Sequence, residues 1–252
     1  MVQTRQPELQ NPLSPTEYRL QEGFYPEILQ SCRLCQMPNL APLAGSGDLR
    51  DYTRCPRCDL HFLSPTRHLS AAEEMARYLL HENDPTDFRY QKFVQPLCDE
   101  ILARATIGQM GLDFGAGTGP VLAERLEHRQ LQIKKYDPFF WRDDSLLSQA
   151  YDFVYCCEVI EHFYDPSKEF RRLRQLLRPG GFLAVMTHFW EPSVDFESWY
   201  YRRDPTHVAF YSEATANWIQ RELGFSRVTF LGSRIAIFET AVADRAGLGP
   251  LR

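Results

Sequence analysis

No stretch of this 252-residue chain is long and apolar enough to cross a bilayer, and its first residues lack the apolar core of a signal peptide. There is no long basic run and no internal repeat. With 28 Lys and Arg against 33 Asp and Glu, the net charge is −5. Bulk composition therefore points away from nucleic acid and from membranes, and the expectation is a cytoplasmic protein. The dinucleotide loop GxGxxG is missing too. The nearest candidate, at Leu112 to Pro120, reads LDFGAGTGP and has Pro120 where that pattern needs glycine. What is present is a 44% hydrophobic content, ample for the core of one doubly wound domain with an accessory module.

The LDFGAGTGP stretch organises the rest. An apolar lead-in of Met110 and Leu112 ends in Asp113, and Gly115, Gly117 and Gly119 follow on alternate positions. The pattern predicts a buried strand that breaks into a glycine loop, where the backbone turns tightly and approaches a ligand without Cβ clashes. Pro120 suits a helix start. A carboxylate closing the strand would repel a pyrophosphate, so a cationic or zwitterionic nucleotide ligand fits better.

Acid-x-Gly-x-Gly-x-Gly at the end of a first strand resembles motif I of class I S-adenosylmethionine-dependent methyltransferases. Three further segments follow in the family's order: Asp137 after a helix over Val121 to Glu127 and a strand over Leu131 to Tyr136; YDFVYCCEVIEHFYDP at Tyr151 to Pro166; and LLRPGGFLAVMT at Leu176 to Thr187. Together they cover roughly half the chain. The resemblance implies an α/β Rossmann-like doubly wound sheet of the seven-stranded methyltransferase type. Only PFFWRDDSLLSQA separates Asp137 from the strand starting near Asp152, so the third-strand region is shortened. The resemblance implies S-adenosylmethionine as cofactor, with Asp113 near its methionine end and Asp137, followed by Pro138, on the ribose. Gly115, Ala116, Gly117 and Gly119 form the loop, and Glu158 or His162 stands beside the transferring methyl. Tyr90, on a helix ahead of the first strand, is a further candidate for cofactor contact.

Seven cysteines are present, and four of them form CRLC at Cys32 to Cys35 and CPRC at Cys55 to Cys58, nineteen residues apart. This is the spacing of two knuckles that supply four thiolates to a structural zinc ion with no open position. Two disulfides are the bland alternative, which a reducing compartment disfavours. His61 and His68 read as bystanders, and Cys98, Cys156 and Cys157 as buried small residues. Residues 28–68 hold five Arg and three Asp. That surplus of +2 is cancelled by the −2 of a zinc tetrathiolate, so charge speaks against RNA binding there.

The expected organisation is an extended or partly disordered segment over 1–30, a zinc-binding knuckle over 31–69, a helical cover over 70–108, a methyltransferase domain over 109–243 and a flexible tail over 244–252. Ser70 and Glu73 form a capping box. The cover helix it opens is expected to turn Met75, Tyr78 and Leu79 inward. Residues 188–211 carry Phe189, Trp190, Phe196, Trp199, Tyr200, Tyr201, His207, Phe210 and Tyr211 and read as an aromatic lid or acceptor pocket beyond the strand ends. Ligands in open α/β sheets sit beyond the carboxyl ends of strands, which makes His162 and Glu158 catalytic candidates by topology. His207 joins them because its apolar neighbours Val208 and Phe210 would keep an imidazole neutral. Which histidine is the base stays open, as does the oligomeric state.

The reading that follows is methyl transfer to a small-molecule acceptor at oxygen, nitrogen or carbon. An RNA-base methyltransferase with a zinc module is the runner-up. A non-catalytic nucleotide-fold binding protein would be expected to show a damaged loop, which this chain does not have. A nucleotide-binding oxidoreductase ranks last because of Pro120 and Asp113.

Overall fold

The computed structural model describes residues 29–44, 47–80 and 87–242. Most of the expected N-terminal segment, residues 81–86 of the expected helical cover and the expected tail over 244–252 lie outside these.

The first elements belong to the cysteine module. β1 (Tyr52–Arg54) and β2 (His61–Leu63) pair antiparallel around the second knuckle. α1 (Ala71–Tyr78) starts at the predicted capping box, with Ser70 accepting from the Glu73 amide and Glu73 reaching back to the Ser70 amide. Its inward face differs from the expected one. Met75 and Leu79 are 39% and 59% exposed, whereas Glu74 is buried. Glu74 and Tyr78, one turn apart, face the body of the protein, so this helix contributes a polar stripe. α2 (Phe88–Leu102) buries Val94, Leu97, Cys98 and Ile101.

The main sheet contains β3 (Met110–Phe114), β4 (Gln132–Tyr136), β5 (Tyr151–Cys157) and β6 (Leu177–Met186), with α3 (Val121–Glu127) and α4 (Pro166–Gln175) in the crossovers. β7 (Ala209–Phe210) and α5 (Glu213–Glu222) precede the closing pair β8 (Arg227–Leu231) and β9 (Ile235–Glu239). The strand order is β4-β3-β5-β6-β9-β8, parallel through β6 and antiparallel at the end. The sheet is Rossmann-like but has six strands. Where a third strand would stand in a seven-stranded sheet, the short segment after Asp137 forms only a 3-10 turn, Asp144–Ser148.

Side-chain alternation along the strands divides the core into two layers. Phe153, Tyr155, Phe182 and Ala184 pack with Leu97, Ile101, Leu122 and Leu126 of α2 and α3. Their neighbours Val154, Cys156, Leu183 and Val185 pack on the opposite face with Phe170, Leu173 and Ile219 of α4 and α5.

The aromatic insert does not hang over the strand ends as a free lid. β7 pairs with β2 to complete a second, three-stranded sheet. Trp190, Phe196, Trp199, Tyr201 and Phe210 form a third cluster with Leu49, Tyr52 and Leu63 of the cysteine module. The aromatics that could not reach the main core thus find a second one. His61 is caught within it, its ring 4.6 Å from Trp190 and 4.7 Å from Phe196. Burial lowers it to about 4, which fits a packing role.

Candidate functional site

A cavity of about 750 Å³ opens beyond the carboxyl ends of β3, β4 and β5. Gly115 sits at its floor with φ +88°, and a Cβ there would lie 2.5 Å from Val159 of the turn after β5. Both the left-handed backbone and this close approach demand glycine. Gly117, at φ +60°, turns the loop again, and the Ala116, Thr118 and Gly119 backbone completes the lining.

Asp113 closes β3 and is 4% exposed. Burial pushes its carboxyl up to about 7. Repulsion from Asp137 and Glu127 adds to this, while the nearby Tyr155 hydroxyl and Lys135 offset part of it. A cationic group in the cavity would therefore meet an acid that gains by ionising beside it.

Asp137 is buried and does more than face the cavity. It accepts from the Gly117 amide at 3.0 Å and from the Phe139 and Phe140 amides at 2.8 and 3.1 Å. The carboxylate ties the glycine loop to the loop after β4, and of its about four lone-pair sites one remains for a ligand hydroxyl. Trp141 Nε1 donates to the Gly117 carbonyl at 2.8 Å and braces the same junction. Pro138, Phe139 and Phe140 line the wall. Asp143 and Asp144 do not: Asp143 accepts from the Ser145 amide, and Asp144 pairs with Arg142 on the surface. Tyr90 lines the cavity, while Arg89 is spent on Asp87.

The opposite end is polar. Glu158 takes φ +53° as the chain leaves β5, unusual for a residue with a side chain. Burial, and after it the Glu161 carboxylate, push Glu158 up to about 8. The Tyr201 hydroxyl lies 2.5 Å from Glu161 Oε1 and 3.0 Å from Glu158 Oε2. One hydroxyl proton cannot serve both oxygens at once, and the Arg234 guanidinium stands 3.6 Å from Glu158 Oε1. His162 and His207 stand edge to face at 4.9 Å. The Nδ1–H of His162 donates to the Thr206 carbonyl at 2.9 Å, and that of His207 to the Tyr201 carbonyl at 2.6 Å. Each neutral ring thus keeps its lone pair on Nε2. Burial lowers His162, favouring that neutral form.

All three predicted catalytic residues line one cavity with the predicted cofactor contacts. Not expected from sequence were Glu74, Tyr78 and Asp204 in the lining, or Glu161 and Tyr201 behind it. Tyr78 and Tyr164 donate to the two Glu74 oxygens at 2.6 and 3.2 Å. Arg77 pairs with Asp204 at 3.1 Å, fixing the turn before His207. The spacing of Glu74 and Tyr78, one helical turn apart, was the available signal for the first pair.

The four module cysteines converge, their sulfurs all within 4.8 Å of one another. Cys32 and Cys58 sulfurs are 3.5 Å apart, Cys35 and Cys55 sulfurs 3.4 Å. A tetrahedron with bonds of about 2.3 Å needs edges of about 3.8 Å, so the set is compatible with a zinc ion. Leu34 and Cys35 amides donate to Cys32 Sγ, and Gln36 and Asp59 turn each knuckle at positive φ. Crowding raises Cys32 and Cys58 and lowers Cys55. Four such sulfurs become thiolates together only around a cation.

Residues 88–229 match the family described as a methyltransferase domain. The ubiquinone biosynthesis O-methyltransferase of Photorhabdus laumondii subsp. laumondii is 32% identical over 97 residues, covering 36% of this chain and 38% of that protein. The chain thus spans about two-fifths of that curated relative's length. Among solved structures, an O-methyltransferase family protein from Burkholderia thailandensis has a TM-score of 0.49 at 15% identity, over 68% of this chain and 64% of its own. Human N-acetylserotonin methyltransferase in complex with SAM has a TM-score of 0.48 at 11% identity, over 69% and 61%.

Proposed function

Because the chain belongs to the methyltransferase domain family, we propose that it transfers a methyl group from S-adenosylmethionine to a small-molecule acceptor. One observation carries the reading: the acid-ended glycine loop and the Glu158, His162 and His207 group line the same cavity. When bound, S-adenosylmethionine supplies an electrophilic methyl on a sulfonium. Gly115, Ala116, Gly117 and Gly119 cradle it, Asp113 answers its positive charge, Asp137 takes a ribose hydroxyl, and Tyr90, Phe139 and Phe140 exclude water.

His162 and His207 flank the acceptor's nucleophilic atom and orient it. Glu158, whose proton affinity burial has raised, ionises beside a cationic ligand and takes the acceptor's proton. In-line transfer needs an aligned, unprotonated nucleophile, and positioning accounts for much of its rate. An oxygen acceptor is the first to test, because the curated relative is named an O-methyltransferase. The four cysteines hold a structural zinc ion. Arg33 of that module donates to the Tyr164 carbonyl at 3.1 Å, and its own carbonyl accepts from the Ser167 amide. The module therefore braces the turn that carries His162.

The deciding experiment is a mass-spectrometric screen of the purified protein with isotope-labelled S-adenosylmethionine against metabolite extracts. A labelled product that depends on the enzyme supports the reading. Failure to bind the cofactor in calorimetry would end it.

A further inference from the structure

Three electron-pair donors meet on the acceptor side of the cavity. One nitrogen of His162, one of His207 and a carboxylate oxygen of Glu161 all lie within 4.8 Å of one another. Both Nδ1 atoms are committed to backbone carbonyls, which only accept, so Nε2 is the free nitrogen of each ring. Glu161 is fully buried, and its Oε2 has no hydrogen-bond partner. An unpartnered buried carboxylate oxygen is costly, and two lone pairs beside it add to the cost unless a cation joins them.

The supports resemble those of metal ligands. A ligating histidine ordinarily donates its other nitrogen to a carbonyl or carboxylate, which fixes the ring and its tautomer. Here both imidazoles are aimed by the insert over residues 188–211, His162 by the Thr206 carbonyl and His207 by the Tyr201 carbonyl. Thr206, next to His207, holds His162, and the Val208 amide donates to the Glu161 carbonyl at 2.8 Å. The Tyr201 hydroxyl positions Glu161 Oε1. Glu74, Glu158 and Asp204 also line the cavity, with Asp204 paired to Arg77 and Glu158 facing Arg234 at 3.6 Å.

We propose that Glu161, His162 and His207 form a divalent metal site, distinct from the four-cysteine cluster, with open coordination positions toward the cavity. Two imidazoles and one carboxylate suit a borderline ion such as Zn²⁺, Fe²⁺ or Mn²⁺. Three protein ligands leave room for an acceptor oxygen. Coordination there makes a hydroxyl more acidic, and its proton passes to the Glu158 carboxylate. This use of the ion rests on the methyl-transfer reading, but the binding itself does not.

The test reads binding directly. Full-length protein freed of loosely held metal is titrated with Mn²⁺ and followed by electron paramagnetic resonance; four thiolates are a poor site for Mn²⁺. The expected result is one saturable Mn²⁺ per chain, weakened about tenfold or more in Glu161→Gln and in His207→Ala. Glu161→Gln keeps the side chain's size and its Tyr201 contact, so it carries the test if His207→Ala does not fold. Calorimetric titration with S-adenosylmethionine identifies the folded variants. Absence of saturable uptake at millimolar Mn²⁺, or equal uptake in parent and variants, overturns the site. The three groups would then serve an acceptor proton alone. Uptake without any cofactor binding would leave the metal site standing and count against the methyl-transfer reading.

Discussion

Replacing Asp113 with Asn separates what this residue costs the fold from what it gives the ligand. Asparagine matches the protonated acid in size and cannot ionise. In the folded protein burial lifts Asp113 from the usual 3.8 to about 7. An acid raised in this way binds its proton more tightly folded than unfolded. Stability is therefore fully present below about pH 4 and is lost as pH rises through about 7. The rise corresponds to about 4 kcal/mol withheld above pH 7, at 1.36 kcal/mol per pH unit. Without cofactor, Asp113→Asn should equal the parent in acid and become more stable than it as pH climbs from 5 to 8. Urea denaturation at several pH values measures the difference. With S-adenosylmethionine the order reverses, because the positive ligand favours the carboxylate. Binding to the parent at pH 6.5 should release a proton, seen by calorimetry in buffers of different ionisation enthalpy, and binding to the variant should not. Parallel stability curves for the two proteins, or no proton release from the parent, would refute the assignment.

Asp137→Asn should weaken S-adenosylmethionine binding by about 1.5–3 kcal/mol in calorimetry. Asp137→Ala should in addition lower stability, because it strands the Gly117, Phe139 and Phe140 amides. His207→Asn should cut turnover with a true acceptor about a hundredfold by misplacing the acceptor while cofactor affinity stays constant; unchanged turnover would leave the positioning to His162. Protein purified without chelator should contain at least one tightly held zinc by elemental analysis, and Cys55→Ser should lower thermal stability more than cofactor affinity. Gly115→Ala should unfold at lower denaturant than the parent, since the added methyl meets Val159 at 2.5 Å in a left-handed backbone.

What the sequence made legible depended on how local each cause is. The glycine loop, the helix over Val121 to Glu127 and the capping box at Ser70 are set within a few residues, and all stand where the pattern places them. The Cys-x2-Cys pairs are equally local, and the chain between them needs only to close. The nature of the shortened region after Asp137 was harder. Its length shows that something is missing, but six strands rather than seven follows from pairing across the sheet. Glu161 was hidden for another reason. Next to His162 in a polar turn it reads as a solvated acid, and only the fold buries it completely beneath Tyr201, forty residues away. The partners of the aromatic insert were equally out of reach, because no periodicity links Phe210 to Tyr52.

Those long-range contacts show how the cysteine module reaches the reaction site without entering it. Arg33 holds the turn that follows His162. Asp59 accepts from the Ser212 hydroxyl at 2.5 Å, at the cap of the helix that follows the insert. β2 pairs with β7, three residues after Thr206 and two after His207. Both histidine-bearing segments are thus anchored on the module's side, and the His162–Thr206 and Val208–Glu161 hydrogen bonds leave little slack between them. An imidazole moved by an ångström would lose its alignment with the acceptor, at a cost of about a hundredfold in rate. Removing the structural metal should therefore depress turnover before it depresses cofactor binding, since the glycine loop and Asp137 hang from β3 and β4, with which neither β1 nor β2 pairs. Stepwise chelation followed by both readouts measures that separation. Simultaneous loss would mean that the module supports the whole fold and not the histidine-bearing segments in particular.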